Sequence, residues 1–189
     1  ADGVLIARSV GSGRGASRQY VREYPNGPLF GHPIGYSFAE QGNSEFEASH
    51  NGELIGEGSE FTSILDELRG RKQEGNNIRT NIDSVAQQTA VDLLAGRPGA
   101  VIAMVPSTGE VKAMVSEPPY DPNTIPDDLG PLSNTPGSPL LDRASQGQYP
   151  PGSTFKLVTA TAALDSGAVS ADELIDSPAS LTIQGQPLA

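Results

Sequence analysis

The sequence contains no cysteine and no tryptophan. The absence of cysteine excludes disulfide bonds, thiolate nucleophiles and cysteine-ligated metal sites together. Only two histidines are present, and because His32 and His50 lie far apart without ligand spacing, we interpret both as structural or surface residues. Long apolar runs are missing as well, since no stretch approaches the roughly 18 consecutive apolar residues that a membrane-spanning helix requires.

Positive charge is also scarce. The 12 Lys and Arg face 23 Asp and Glu, which gives a formal net charge of -11 at pH 7. Proteins that bind nucleic acid cluster Lys and Arg against the phosphates, so we exclude nucleic acid as a partner and attribute the acidity to a solvated surface. With 189 residues, 36% of them hydrophobic, and with 22 Gly and 16 Pro, the composition predicts a loop-rich globular chain of one ordinary or two small domains.

The first third of the chain favours short strands and turns over helices. Residues 1–58 are rich in Gly and Ser, and no helical stripe of apolar residues survives the glycines. A short helix is predicted in "SEFTSILDELRG", residues 59–70, where four apolar side chains share one face. These four are Phe61, Ile64, Leu65 and Leu68.

A stronger helix and a hairpin follow. In "TNIDSVAQQTAVDLLAGRPG", Asp83 is the predicted N-cap, and Gly96 with Pro98 supplies the stop signal. The runs at 100–105 and 110–115, separated by "PSTG", predict a β-hairpin whose first strand, apolar throughout, is buried on both faces. The apolar stripe of the helix consists of Ile82, Val85, Ala86, Ala90, Leu93 and Leu94.

Prolines concentrate in residues 116–152, which hold nine of the 16. Such a composition favours a disordered linker, whereas its position between a buried hairpin and a helix also fits an ordered excursion, and both interpretations stay open. From Ser153 onward the chain predicts a helix that is apolar almost all round and therefore belongs in a core. Gly167 is the predicted end of that helix.

The segment "YPPGSTFKLVTATAAL", residues 149–164, places Ser153 three residues before Lys156. Lys156 is the sole charge between Arg143 and Asp165, and residues at i and i+3 share one face of a helix. Desolvation on an apolar helix favours the neutral amine, which can accept a proton from a serine hydroxyl. The N–H groups of a first helical turn favour developing negative charge. The pattern therefore predicts a nucleophilic serine with a lysine as its base.

A simpler interpretation of the same two residues is structural. Ser153 would be the N-cap of the helix, and Lys156 would extend its amine to solvent. Capping serines are very common, so the local stretch by itself leaves the two interpretations open.

Four segments, in order along nearly the whole chain, resemble the penicillin-binding proteins, specifically class B peptidoglycan transpeptidases of the kind found in high-GC Gram-positive bacteria. The segment "REYPNGPLFGHPIGY" is similar to the family's Arg-x-Tyr-Pro…His-x-x-Gly-Tyr pattern, and "GNNIRTNIDSVAQQTAVDLL" to its lead into the catalytic domain. "GAVIAMVPSTGEVKAMVSEPPYDPN" resembles the first hairpin of the transpeptidase domain. "DRASQGQYPPGSTFKLVTATAAL" resembles the active-site segment, with Ser153 and Lys156 at its two functional positions. The resemblance favours the nucleophile over the helix cap.

The resemblance implies an α+β fold in two parts. Residues 1–78 would form a partial N-terminal pedestal or dimerisation-type module, rich in β structure. Residues 79–189 would form the first part of a transpeptidase domain like that of penicillin-binding proteins and serine β-lactamases, including the Ser-x-x-Lys helix.

The resemblance also implies a reaction. Ser153 attacks the penultimate D-Ala of a peptidoglycan stem peptide ending in D-Ala-D-Ala, with Lys156 as the proton acceptor, and the acyl-enzyme passes its acyl group to a neighbouring strand. β-Lactam antibiotics imitate the D-Ala-D-Ala end and stall as the acyl-enzyme. No metal or organic cofactor is implied.

Two further motifs of the family, Ser-x-Asn and Lys-Thr-Gly, are expected after the Ser-x-x-Lys helix and do not occur between Ser153 and Ala189. The missing strand completes the oxyanion hole, and each lost donor costs roughly 10²–10³ in rate. We therefore expect the 189 residues alone to be catalytically incompetent.

The resemblance places the enzyme outside the cytoplasmic membrane, tethered by an N-terminal helix preceding this chain, with cell-wall synthesis or division proteins as partners. Two alternatives remain: a β-lactam-sensing or β-lactamase-like acyl-serine domain, and a non-catalytic interaction module formed by the pedestal.

Overall fold

The computed structural model describes residues 2–13, 19–57 and 75–188. The chain divides into two compact units, residues 1–148 and residues 149–189. The helix predicted at residues 59–70 lies outside the described residues. In the part of the chain that the structure describes, no helix combines the length and the apolar character needed to cross a lipid bilayer.

The first unit mixes short strands and helices. Its strands are β1 (Arg8–Ser12), β2 (Gln19–Glu23), β3 (Ser37–Phe38), β4 (Gly42–Asn43), β5 (Gly99–Met104) and β6 (Val111–Glu117). Its helices are α1 (Gly27–Ile34), α2 (Glu45–Ser49), α3 (Asn51–Ile55), α4 (Ser84–Leu94) and α5 (Ile125–Ser133), with a 3-10 turn at Pro122–Thr124. The strands pair consecutively as antiparallel hairpins, β1 with β2, β3 with β4 and β5 with β6.

The hairpin predicted around "PSTG" is confirmed, but the burial of its strands is not as predicted. β5 pairs with β6 in register from Gly99 opposite Glu117, with an irregularity between Ala103 and Met104. β5 is largely exposed, whereas β6 is buried at Ala113, at 1% exposed, because α1 and α4 pack against β6. The prediction that β5 is buried on both faces is wrong for the described residues.

Helix α4 begins and ends as the sequence predicts. The carboxylate of Asp83 accepts hydrogen bonds from the backbone N–H groups of Val85 and Ala86 at 2.9 and 3.0 Å, which is an N-cap. The buried face differs from the predicted apolar stripe, since Val85 and Leu93 are exposed and Gln87 is completely buried. Gln87 is tolerated in this buried position because its side-chain amide hydrogen-bonds to backbone groups of Leu29 in α1 and Met114 in β6.

Helix α1 contradicts the expectation that short strands and turns fit residues 1–58 better than helices. Pro28 lies in its first turn, where a missing N–H costs nothing and the fixed φ suits a helix. Gly31 lets the helix approach the chain closely, because a Cβ there would lie 2.6 Å from the carbonyl oxygen of Tyr120. Phe30 and Ile34 of α1 enter the main apolar cluster, which also contains Tyr24 and Ile82.

The proline-rich segment is an ordered excursion rather than a linker. Ile125 is 0% exposed, and Pro122 is also fully buried. The side chain of Asn123 bonds both backbone groups of Tyr24, donating to its carbonyl at 2.8 Å and accepting from its N–H at 2.9 Å. Packing and hydrogen bonds of residues distant in sequence thus override the tendency of proline-rich chains to remain disordered.

The second unit holds the segment with Ser153. A 3-10 turn at Gly152–Thr154 leads into helix α6, Phe155–Asp165, and the hairpin β7 (Leu181–Ile183) with β8 (Gln186–Leu188) follows. Gly167 has φ +69°, as its prediction as the helix end requires. The prediction that α6 lies in a core is wrong for the described chain, because Phe155, Leu157 and Val158 are 53%, 74% and 56% exposed.

Candidate functional site

Ser153 lies in the middle of the 3-10 turn Gly152–Thr154. Gly152 has φ +53°, a conformation that residues with a Cβ adopt only at a cost, so the turn requires glycine here. The carbonyl of Pro151 accepts hydrogen bonds from the backbone N–H and the hydroxyl of Thr154, which closes the turn around Ser153. The sequence Pro-Pro-Gly-Ser-Thr therefore forms a 3-10 turn that leads directly into α6.

The structure does not make Ser153 a helix cap. Pro151 occupies the cap position of the 3-10 turn and Thr154 that of α6, and neither has a side-chain capping bond. The hydroxyl of Ser153 is exposed and makes no hydrogen bond with any described residue. The structural interpretation of Ser153 as an N-cap is thus wrong, and its oxygen is available for chemistry.

Lys156 lies in the first turn of α6, three residues after Ser153. Ser153 belongs to the 3-10 turn Gly152–Thr154, which runs directly into α6 with Lys156 in its first turn. Within the described residues no hydrogen bond joins Ser153 Oγ to Lys156 Nζ, and Lys156 has no ion-pair partner. The two residues therefore lie three positions apart across the junction of the turn and α6, with no hydrogen bond between their side chains.

The loop before this segment contains a buried carboxylate that the sequence did not predict. Asp142 is 1% exposed and accepts hydrogen bonds from the N–H of Ala144 at 2.9 Å and the hydroxyl of Ser145 at 2.7 Å. The neighbouring hydroxyl of Ser116, on β6, donates to the carbonyl of Leu141 and accepts from the N–H of Arg143. The spacing Asp142-x-x-Ser145 could have predicted this turn, because an Asp side chain often accepts hydrogen bonds from groups two and three residues later.

The segment "REYPNGPLFGHPIGY" packs against the proline-rich excursion. Nε2 of His32 donates to the carbonyl of Pro118 at 3.1 Å, and the Tyr120 hydroxyl donates to the carbonyl of Gly31 at 3.0 Å. Burial lowers the pKa of His32, which favours the neutral ring. The interpretation of His32 as structural is confirmed, and His50 stacks on Phe46 with ring centroids 4.0 Å apart.

Two family models match the chain. The penicillin-binding protein transpeptidase domain matches residues 99–188. The dimerisation domain of penicillin-binding protein A matches residues 1–78. Ser153 and Lys156 both fall within the first of these matches.

Curated relatives of the chain are peptidoglycan D,D-transpeptidases. The peptidoglycan D,D-transpeptidase PbpA of Mycolicibacterium smegmatis is 36% identical over 94% of this chain and 39% of its own length. The peptidoglycan D,D-transpeptidase MrdA of Escherichia coli K12 is 36% identical over 74% of this chain and 21% of its own length. The chain thus spans about two fifths of the length of the mycobacterial relative.

Solved structures support the same assignment. Penicillin-binding protein A from M. tuberculosis, as its penicillin G acyl-enzyme complex, superposes with a TM-score of 0.80 at 32% identity, over 99% of this chain and 46% of that one. The D,D-transpeptidase domain of an Eggerthella lenta peptidoglycan glycosyltransferase superposes with a TM-score of 0.78 at 36% identity, over 100% and 41% of the two chains. The predicted α+β fold, a pedestal followed by part of a transpeptidase domain, is confirmed, and the chain belongs to the class B penicillin-binding proteins.

Proposed function

We propose that the protein is a peptidoglycan D,D-transpeptidase in which Ser153 is the nucleophile and Lys156 the general base. The observation that carries the proposal is an exposed serine hydroxyl, unpartnered in the described chain, at the turn that leads to a lysine three residues later. Ser153 is the only serine of the sequence that precedes a lysine by three residues. Both residues lie in the part of the chain that matches the transpeptidase family.

The proposed reaction begins with proton transfer. The neutral amine of Lys156 accepts the hydroxyl proton while Oγ of Ser153 bonds to the carbonyl carbon of the penultimate D-Ala. The tetrahedral species collapses, the C–N bond to the terminal D-Ala breaks, and the departing nitrogen takes the proton. An amine of a neighbouring strand then attacks the ester, forms the cross-linking amide and returns a proton to Ser153.

The same chemistry accounts for β-lactams as inhibitors. Attack by Ser153 opens the lactam ring, and because the nitrogen stays tethered to the acyl group it does not leave the site. The acyl-enzyme therefore persists. Penicillin-binding protein A from M. tuberculosis forms such complexes with penicillin G and with imipenem.

The proposed reaction requires an environment that makes Lys156 a proton acceptor for Ser153, and the described residues do not supply it. The apolar side chains Phe155, Leu157 and Val158 of α6 are exposed, so they do not shield Lys156 from solvent. That residues 1–189 are not catalytically competent alone stays a prediction.

We further propose that residues 1–78 form a pedestal and residues 79–189 the start of the transpeptidase domain, on the extracytoplasmic side of the membrane. The family matches at residues 1–78 and 99–188 support this division, although residues on both sides of residue 78 share one apolar cluster. The match to a dimerisation domain supports self-association through the pedestal, and we propose cell-wall synthesis or division proteins as further partners.

The test is the intact mass of the full-length protein before and after incubation with penicillin G, followed by peptide mapping. We expect one adduct of the mass of the antibiotic, on the peptide that contains Ser153. Ser153→Ala should abolish the adduct, while Ser166→Ala, which removes a hydroxyl at the other end of α6, should leave it unchanged. An adduct that survives Ser153→Ala would disprove the assignment of the nucleophile.

A further inference from the structure

The chain contains two Asn-Gly sequences, at residues 26–27 and at residues 51–52. Asparagine is chemically labile, because the backbone nitrogen of the next residue can attack its side-chain amide carbon. Glycine in the next position has no Cβ and adapts its backbone readily, so an Asn-Gly sequence hinders this attack least. Since the two sites share one local sequence, the structure around each of them decides whether the attack occurs.

At the first site the attacking nitrogen is occupied. The backbone N–H of Gly27 donates a hydrogen bond to the carbonyl oxygen of Tyr24 at 3.0 Å, and Gly27 is buried. The surroundings are tightly packed, because a Cβ on Gly27 would overlap the side-chain oxygen of Asp121. Attack on Asn26 would require this packed start of α1 to open, so we expect Asn26 to be protected.

At the second site the attacking nitrogen is free. Gly52 is the second residue of α3, and N–H groups in the first turn of a helix have no partner within that helix. The backbone N–H of Gly52 makes no hydrogen bond with any described residue. Packing is also looser here, since a Cβ on Gly52 would first meet the carboxylate of Glu57 at 3.4 Å, which is an ordinary contact.

Helix α3 offers little resistance to the movement that the attack requires. The nitrogen of Gly52 reaches the side-chain carbon of Asn51 only when the backbone between them turns away from the helical conformation. Helix α3 has five residues, and a helix of this length is marginally stable by itself. Local opening of its first turn, where the N–H of Leu54 donates to the carbonyl of His50 at 3.0 Å, therefore costs little.

A neighbouring side chain polarises the amide that is attacked. Nδ2 of Asn43, on β4, donates a hydrogen bond to Oδ1 of Asn51 at 2.9 Å. Negative charge develops on Oδ1 when its carbon is attacked, and a donor at that oxygen stabilises the charge. The second site thus combines a free attacking nitrogen with an assisted carbonyl.

We propose that Asn51 is a self-modification site, at which Gly52 converts the amide to a carboxylate with Asn43 as the assisting donor. The backbone nitrogen of Gly52 loses its proton to solvent and bonds to Cγ of Asn51, the Cγ–Nδ2 bond breaks, and the nitrogen leaves as ammonia after taking up a proton. Water then opens the cyclic imide. Cleavage at Cγ gives aspartate, whereas cleavage at the backbone carbonyl carbon gives isoaspartate, in which the chain runs through the side chain.

Exposure alone predicts the opposite order of the two sites. Asn26 is exposed, whereas Asn51 is half-buried. A reaction controlled by exposure would therefore be faster at Asn26, and the proposed reaction is faster at Asn51. The first site is thus a control with the same local sequence in the same molecule.

The test is peptide mapping of the full-length protein after incubation at mildly alkaline pH. We expect the peptide with Asn51 to gain the mass of an amide that becomes an acid at least about tenfold faster than the peptide with Asn26. Aspartate and isoaspartate should appear together, because both arise from one imide. In urea, where the fold no longer protects Asn26, the two rates should approach each other. An equal or faster reaction at Asn26 in the folded protein would overturn the proposal, as would an Asn51 that stays unmodified there.

Two variants test the assigned roles. Gly52→Ala adds a methyl group where the packing accepts it and should slow the modification at least about tenfold, because the attack is hindered. Asn43→Ala removes the donor and should slow it about three- to tenfold in the folded protein and not in urea. An unchanged rate in Gly52→Ala would show direct hydrolysis of the amide and disprove the attack by Gly52. An unchanged rate in folded Asn43→Ala would disprove the assistance by Asn43.

Discussion

Nε of Arg22 donates a hydrogen bond to Oε1 of Glu47 at 2.7 Å, and the two side chains are only 19% and 4% exposed. This ion pair ties β2 to α2 beside the apolar cluster that contains Tyr24. A buried pair is expensive to break on one side, because the remaining charge stays without a partner.

Replacing one residue of this buried pair should therefore destabilise the protein more than replacing one residue of an exposed pair. We expect Glu47→Ala to lower the free energy of unfolding by about 3–5 kcal/mol. Glu23→Ala breaks the more exposed pair with Arg8 and should cost about 0–1 kcal/mol. Urea unfolding measures both, and equal losses for the two variants would contradict the assignment of Arg22–Glu47 as a buried pair.

Gln87 should be required for its hydrogen bonds and not for its size. Its amide nitrogen donates to the carbonyls of Leu29 and Met114, and its oxygen accepts from the N–H of Met114. Gln87→Leu leaves these buried backbone groups unsatisfied, and we expect a loss of about 2–4 kcal/mol by denaturant unfolding. The neighbouring exposed variant Gln88→Leu should stay within about 0.5 kcal/mol, and a similar loss there would show that the effect is not one of burial.

His32 should make stability depend on pH in a defined direction. Burial lowers the pKa of its ring in the folded state, so below the ordinary value near 6.5 the unfolded chain binds more protons than the folded one. Stability from this group is therefore lost as the pH falls from about 6.5 through the lowered pKa. His32→Gln removes the titration, and its free energy of unfolding should fall less than that of the unmodified protein between about pH 7.5 and 5.5. An identical pH dependence in both would rule out His32 as its source.

Lys156 should govern acylation as the group that accepts the proton of the Ser153 hydroxyl. Lys156→Ala should lower the acylation rate constant by about 10²–10⁴ while Ser153 remains the site of the slow adduct. Lys156→Arg keeps the charge but does not accept the proton, so it should be impaired as strongly. Lys112→Ala removes a lysine paired with Glu110 on the hairpin and should acylate normally. Normal acylation by Lys156→Arg would disprove the role of Lys156 as base.

Local features were predictable because their causes lie within a few residues. Asp83 caps α4 through N–H groups two and three residues later, and Gly167 ends α6 through its own φ. The hairpin of β5 and β6 follows from the turn residues "PSTG" between two runs rich in apolar residues. The family resemblance likewise follows from short segments in order.

Burial was predicted poorly, because it depends on which elements meet. The apolar strand β5 and the apolar helix α6 are exposed in the described chain, whereas the polar Gln87 and Asp142 are buried. Periodicity shows that a face is apolar, but it does not show whether another element covers that face. Hydrogen bonds between distant residues likewise place polar side chains inside.

The amino-acid sequence by itself determined the Ser153-x-x-Lys156 segment and the family to which the chain belongs, because these depend on residue identity and spacing along the chain. Only the tertiary structure decided that the proline-rich excursion is ordered. The same holds for the hydrogen bonds of Gln87, on α4, to backbone groups of α1 and β6, and for the hydrogen bond that Gln146 donates to Glu45. Those contacts join residues from 27 to 101 positions apart, and their energies come from burial and hydrogen-bond geometry that no local pattern encodes.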